Sequence, residues 1–234
     1  MHGIEKCKCA RNFYVLFRRV GRETKFMEEV NISDSWDKVE IGKIGIWLFI
    51  LTEIMLFGAF FSSYVMIRWG SSVCALGRTA WPQTGFKQGL ILALTNTVIL
   101  ITSSFTMVRS YEASCHRDES FFKKSLLVTI LLGILFLVIK FFEYALKIHH
   151  GYFPGSSFLE TNPGLTIFFS FYFMLTGLHA LHVIIGVCWN SFLFRSFKVS
   201  GFSDQLTSKL EYAGIYWHFV DIIWVFLFPL FYLI

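Results

Sequence analysis

Residues 126–146 read LLVTILLGILFLVIKFFEYAL, and this stretch decides the class of fold. A membrane-spanning helix needs roughly 20 mostly apolar residues, because a helix rises about 1.5 Å per residue and the hydrocarbon core is about 30 Å thick. Four other stretches also qualify, and the predicted spans are Ile44–Ile67, Gly89–Val108, Leu126–Leu146, Gly164–Phe194 and Ala213–Ile234. The sequence therefore predicts an all-α membrane protein, a five-transmembrane-helix bundle over residues 44–234, preceded by a basic arm over residues 1–43.

The composition excludes a soluble protein. Apolar residues make up 55% of the 234 residues and charged residues 16%, against about 25% charge in ordinary globular domains. The same balance excludes a disordered or collagen-like chain, and 5 Cys are too sparse for a disulfide scaffold. A zinc site at Cys7 and Cys9 is disfavoured, because zinc-binding cysteines are normally separated by at least about two residues.

The distribution of Lys and Arg predicts the orientation. The arm and the segments 109–125 and 195–212 carry 16 of these residues, whereas the segments 68–88 and 147–163 carry 4. By the positive-inside rule the first group is cytoplasmic and the C-terminus lies outside. The net charge of +5 is then an orientation signal, and no nucleic-acid partner is predicted.

Reporter fusions test this orientation. Fusions at Ser71, Glu112, Tyr152 and Ser203 should report outside, inside, outside and inside, because positive charge alternates between the loops. An outside signal at Glu112 would overturn the assignment.

Ionisable side chains interrupt the predicted spans. Placing each of them in the membrane costs at least about 2.5–3.5 kcal/mol on insertion scales, so each is expected to have an interaction partner or a functional role. The set comprises Glu53, Lys140, Glu143, His179, His182, His218 and Asp221. Lys140 and Glu143 are interpreted as an opposite-charge pair that reaches the outer surface by snorkelling, and contact with a partner on another helix is the alternative.

The remaining groups raise the alternative of an intramembrane metal. Helical bundles bind two irons with carboxylates and Glu-x-x-His motifs, but this chain has no such motif in its spans. At about 1.5 Å per residue, Glu143 is also too far from the cytoplasmic end of its span to join Glu53, His182 and Asp221. We therefore predict no metal site and no catalytic residue, and expect a hydrogen-bonded polar seam between helices.

Glu53 has only apolar neighbours along its helix, from Ile50 to Phe57 apart from Thr52. Desolvation favours the neutral acid, so we expect Glu53 to hold a proton. The small residues Gly58 and Ser62 are candidates for close helix packing, and the aromatic residues of segment 168–173 are candidates for contact with lipid and neighbouring chains. Candidate hydrogen-bonding groups of the second span are Thr95, Asn96, Thr97, Thr102, Ser103 and Ser104.

Several segments resemble subunit III of the heme-copper oxidases, such as cytochrome c oxidase, and agree with it in order. The most recognisable are His179–Gly186 (HALHVIIG) and Tyr216–Trp224 (YWHFVDIIW). Trp47–Glu53, Leu94–Thr97 and Glu143-Tyr144 match further family segments. The resemblance covers about residues 40–234.

The resemblance implies a subunit without heme or copper that packs on the catalytic subunit I in a complex with subunit II. It implies phospholipid bound in a cleft, support of proton uptake and protection of subunit I during turnover. Glu53 matches the family's intramembrane carboxylate, and His179, His182, His218 and Asp221 match its polar positions. Lipid or interhelical contacts are expected at Trp47, Asn96, Glu143, Trp217 and Trp224.

Residues 1–43 cannot supply the first two helices of the seven-helix family form, so the walls of the cleft would come partly from another subunit or be missing. Five-helix versions of subunit III occur in bacteria, so the resemblance favours a location in a bacterial plasma membrane. An accessory chain of a quinol oxidase or nitric oxide reductase, a histidine-rich metalloenzyme and a small transporter remain alternatives, although no repeated half supports the transporter.

Overall fold

The chain forms five long helices. The computed structural model describes residues 41–70, 87–153 and 163–232, and no strand occurs in those ranges. The helices are α1 (Ile41–Gly70), α2 (Lys87–His116), α3 (Glu119–His149), α4 (Pro163–Ser200) and α5 (Asp204–Tyr232). All five are long and apolar enough to cross a membrane, which confirms the predicted fold class. The N-terminal arm, with Cys7 and Cys9, lies outside the described residues except for 41–43, which begin α1.

Two helix-to-helix connections are much shorter than predicted. Only Arg117 and Asp118 separate α2 from α3, although residues 109–125 were expected to form a loop. Hydropathy marks where a chain leaves the hydrocarbon, whereas a helix ends where its backbone hydrogen bonding is interrupted. Arg117 adopts a left-handed φ of 55°, and the Asp118 side chain caps α3 by accepting a hydrogen bond from the Phe121 amide at 3.1 Å.

The connection between α4 and α5 is also short, because α4 continues beyond the hydrocarbon until its backbone hydrogen bonding is interrupted. α4 has 38 residues, about 57 Å of helix, and therefore exceeds the hydrocarbon thickness by a wide margin. It stops at Gly201, whose φ of 67° suits a residue without a side chain. The Gly201 amide donates to the Phe197 carbonyl at 2.8 Å.

Four of the helices close into a bundle. α2 packs on α3, α3 on α4, α4 on α5, and α5 returns to α2. α1 lies outside this ring and packs on α5 and α4. Because α5 contacts three other helices, its side chains decide which polar groups meet.

The indole of Trp217 is the centre of the bundle packing. It is almost fully buried, and its Nε1 donates to Ser103 Oγ on α2 at 3.0 Å. A Cβ added at Gly133 of α3 or at Gly186 of α4 would lie 2.8 Å from ring carbons of this indole. The two glycines therefore let α3 and α4 approach the Trp217 ring closely.

α1 presents an apolar face that no described residue of the chain covers. Trp47 is 60% exposed and Met55 is 70% exposed. A Cβ added at Gly58 would meet no described heavy atom within 4 Å, and Ser62 is exposed. The candidate packing pair Gly58 and Ser62 therefore lies on the outward side of α1.

Candidate functional site

Glu53 and His182 form an interhelical pair between α1 and α4. Glu53 Oε2 lies 3.2 Å from His182 Nε2, and the two side chains are 16% and 8% exposed. His182 Nδ1 lies 2.8 Å from the Leu178 carbonyl oxygen. Since a carbonyl only accepts, Nδ1 carries a proton, and Nε2 faces the carboxyl group. Nε2 therefore lies at hydrogen-bonding distance from the Glu53 carboxyl group.

The backbone of His182 is tied to α5. The Tyr216 hydroxyl donates to the His182 carbonyl oxygen at 3.0 Å, and the Phe57 ring packs edge-on against the imidazole at 5.6 Å between ring centroids. Three helices thus hold the imidazole in place beside Glu53.

His218 and Asp221 lie in a different interface, between α5 and α2. Ser104 Oγ on α2 is 2.5 Å from His218 Nδ1. Asp221 is buried, and neither of its carboxylate oxygens has a hydrogen-bond partner of ordinary geometry in the described part of the chain. His218 is partly exposed.

His179 is separated from both groups by aromatic rings. It is fully buried, and its ring lies 5.7 Å from Phe136 and 5.3 Å from Trp224 between centroids. Neither ring nitrogen has a hydrogen-bond partner among the described residues, and the same holds for the side-chain amide of Asn96. The spacing of His179 and His182 correctly places them on one side of α4, but their surroundings differ.

The structure therefore divides the expected polar seam into separate groups. Within the described ranges, no hydrogen bond joins the Glu53 pair to His179 or to the His218 group. No group of three or more His, Cys, Asp or Glu side chains there is arranged to hold a metal ion.

Glu143 is the hub of a buried ionic network. Its carboxylate accepts from Lys140 Nζ and Lys147 Nζ at 2.8 Å each. The hydroxyls of Tyr172 on α4 and Tyr232 on α5 donate to it at 2.9 and 2.5 Å. The predicted pairing of Lys140 with Glu143 is confirmed at 2.8 Å, but its placement at the outer surface is wrong, because both side chains are buried and two other helices cover them.

This network was largely missed from the sequence. Lys147 is four residues after Glu143, a spacing that predicts a contact on one helix. Tyr172 lies in the aromatic segment 168–173, which was assigned to lipid contact. Tyr172, Phe168 and Phe169 are in fact buried, so that assignment is wrong for three of its members.

The hydroxyl groups of α2 lie on two sides of the helix, one that contacts α5 and one that is exposed. Thr97 accepts from Trp224 Nε1 at 3.0 Å, and Ser103 and Ser104 contact α5 as described. Thr95 and Thr102 are exposed and donate to carbonyls of their own helix. Asn96, Glu143, Trp217 and Trp224 thus lie between helices, whereas Trp47 lies on the outer face of α1.

The amino-acid sequence of this chain is similar to those of known oxidase subunits. A family model described as cytochrome c oxidase subunit III matches residues 4–234. The chain is 34% identical over 190 residues to heme-copper oxidase subunit I+III of Aeropyrum pernix, a match that covers 80% of this chain and 22% of that protein. It is 29% identical over 195 residues to the probable quinol oxidase subunit 3 of Staphylococcus aureus, covering 83% of this chain and 90% of that protein.

Proposed function

Because this chain belongs to the cytochrome c oxidase subunit III family, we propose that it is the non-catalytic subunit III of a proton-pumping respiratory terminal oxidase. The complex reduces oxygen to water in the electron-transport chain of a bacterial plasma membrane. This chain packs on subunit I, in a complex with subunit II. Heme and copper belong to the partner subunits, and this chain carries no redox centre.

The Glu53–His182 pair is the observation that carries this proposal. A carboxyl and an imidazole 3.2 Å apart share one proton inside an apolar bundle, so the pair takes up and returns a proton without leaving an isolated charge. Glu53 remains 16% exposed and is reachable from the side of α1. In the proposed role the pair supports proton uptake into subunit I.

The uncovered face of α1 supports the lipid-binding part of the proposal. Exposed apolar side chains such as Trp47, Leu51 and Met55 offer acyl chains a continuous surface, and an indole suits the headgroup boundary. We place bound phospholipid on this face, between this chain and subunit I.

A quinol oxidase is the second candidate. The Staphylococcus aureus relative is named a probable quinol oxidase subunit 3, and the match covers 90% of it. The donor is decided by other subunits, so the purified complex should be supplied with reduced cytochrome c and with quinol separately. An accessory role in a nitric oxide reductase predicts nitric oxide consumption by the same preparation.

Carbodiimide labelling tests the state of Glu53. A hydrophobic carbodiimide attacks protonated carboxyls in apolar surroundings, so it should label Glu53 ahead of the solvent-exposed acid Glu119 and ahead of Glu28 and Glu29 of the arm. Peptide mass spectrometry measures the order of labelling. Preferential labelling of the other acids would show that Glu53 is ionised and solvated.

Substitution of Glu53 separates its roles. Glu53→Gln should preserve assembly, because Gln keeps the size and hydrogen-bonding capacity, while proton-linked turnover falls. Glu53→Lys should impair assembly, because it places a cation against His182 inside the membrane. Equal assembly of the two variants, measured by copurification, would contradict this expectation.

Removal of the whole chain tests the accessory role. The heme spectra of the partner subunits should persist, whereas activity should decline over successive turnovers because proton delivery weakens. Heme-bearing subunits should copurify with the intact chain in mild detergent. Stoichiometric iron or copper in the purified chain, lost in His182→Ala or Asp221→Asn, would overturn the proposal and favour a metalloenzyme.

A further inference from the structure

His179 on α4 and Lys140 on α3 are deeply buried, and the described part of the chain leaves the hydrogen bonding of both incomplete. We propose that these two side chains bind one internal water molecule between them. The water accepts a hydrogen bond from the Lys140 ammonium group and donates one to a ring nitrogen of His179. This inference rests on contacts within the chain and does not depend on the proposed function.

The imidazole of His179 is the first group that needs a ligand. Its exposed fraction is 0%, and neither ring nitrogen has a hydrogen-bond partner in the described ranges. His182, one turn further along α4, differs because its Nδ1 lies 2.8 Å from the Leu178 carbonyl oxygen. A buried polar group without a hydrogen bond costs free energy, and an internal water molecule commonly supplies the missing partner.

The ammonium group of Lys140 has one N–H more than its described partners use. An ammonium group can donate three hydrogen bonds. Two of them go to Glu143 Oε2 at 2.8 Å and to the Tyr232 hydroxyl at 2.9 Å. Lys140 is only 3% exposed, so bulk solvent does not take the third N–H. A donor is therefore available inside the bundle.

The register of α3 and α4 places Lys140 and His179 at the same height in the bundle. The two helices run antiparallel, and the Tyr144 hydroxyl on α3 is hydrogen-bonded to the Thr176 hydroxyl on α4 at 2.6 Å. Lys140 is four residues before Tyr144, and His179 is three residues after Thr176. Both therefore lie about one turn from this hydrogen bond in the same direction, at heights that differ by about 1.5 Å.

The indole of Trp224 on α5 is a shared neighbour of the two polar groups. Lys140 Nζ lies 4.5 Å from the centroid of the indole, and the His179 ring lies 5.3 Å from it between centroids. Phe136, one turn before Lys140 on α3, packs against both the His179 and the Trp224 rings. Three helices therefore surround the point at which Lys140 and His179 approach each other.

The chemistry of the two side chains selects a small neutral ligand that both donates and accepts. The ammonium group only donates, whereas a neutral imidazole offers a lone pair on one nitrogen. A water oxygen accepts from Lys140 while one of its O–H groups donates to His179. A metal cation would be repelled by the ammonium group, and an anion would add a second negative charge to a lysine that is already paired with Glu143. The bound water extends the Glu143 network to His179.

Solid-state NMR of the full chain, labelled with nitrogen-15 and held in lipid bilayers, tests the water site. Magnetisation should pass from water protons to a side-chain nitrogen of His179, and His179→Phe identifies this signal by removing it. In Lys140→Met the transfer should be lost and the accepting nitrogen should shift downfield, because the water loses its donor. Lys123→Met is the matched control and should leave the His179 signal unchanged, since Lys123 is a partly exposed α3 lysine paired with Glu119 at 3.0 Å.

Three results would overturn the proposal. A lack of transfer from water to His179 in the unmodified chain would mean that the imidazole is dry. Equal His179 signals in Lys140→Met and Lys123→Met would mean that Lys140 does not hold the water. A His179 signal that changes when chloride is removed from the buffer would identify the ligand as an anion. The measurement on the unmodified chain needs no variant, so the first test does not depend on the tolerance of the bundle for Met at position 140.

Discussion

Replacement of Glu143 by Gln should lower the free energy of unfolding by about 3–5 kcal/mol, the cost of removing one partner from a buried ionic group. Gln keeps the size of the side chain but removes the negative charge that contacts both Lys140 and Lys147. Lys140, which is almost fully buried, would then lose the carboxylate that it contacts. Denaturation of the purified full chain by increasing dodecyl sulfate, followed by circular dichroism, measures the loss.

Two further variants distinguish this effect from a general loss of charge. Glu112→Gln removes a carboxylate from an exposed pair with Arg109 and should cost no more than about 1 kcal/mol. Combined replacement of Lys140 and Lys147 by Met and of Glu143 by Leu should restore much of the stability, because no buried charge remains and Tyr172 and Tyr232 keep their mutual hydrogen bond at 3.1 Å. If Glu143→Gln is as mild as Glu112→Gln, the buried network is not as described.

Gly186→Leu should have the second large effect, a loss of at least about 3 kcal/mol, at the upper end of the cost of overpacking. The added Cβ lies 2.8 Å from two carbons of the Trp217 indole. That ring cannot shift away freely, because Gly133 contacts it equally closely from α3 and Ser103 holds its Nε1. Trp217 fluorescence during the same denaturation reports on the packing directly.

Gly58→Leu is the matched control for this experiment. It makes the same change in an apolar helix, but no described heavy atom lies within 4 Å of the added Cβ. The isolated chain should therefore be unaffected or stabilised by up to about 1 kcal/mol, the difference in helix propensity. Similar losses at positions 58 and 186 would show that the Leu side chain itself, rather than its contact with Trp217, is responsible.

The number and character of the helices could be predicted from the sequence, because each span must satisfy its own backbone hydrogen bonds in lipid. Helix ends could not be predicted equally well. Hydropathy ended the second span at Val108, whereas α2 continues to His116, because a helix does not stop at the membrane boundary. The positive φ of Arg117, which ends it, has no signal in hydropathy.

The candidate site was predictable as a set of residues but not as a set of contacts. The cost of burying Glu53, His182, His218 and Asp221 singled them out without any structure. Depth along the helices made Glu53 and His182 compatible, and they do form a pair. Depth alone also made Asp221 a neighbour of that pair, whereas in the structure Asp221 is buried without a hydrogen-bond partner among the described residues.

The sequence by itself determined that the chain is a five-helix membrane protein and which ionisable side chains must be accommodated inside it, because length, hydropathy and helical periodicity are local properties. The tertiary structure alone decided the partners. Rotation of each helix about its axis and the close approach permitted by Gly133 and Gly186 depend on packing between segments far apart in the chain. That packing places His182 against Glu53, encloses Glu143 with two tyrosines from other helices, and sets Ser104 against His218.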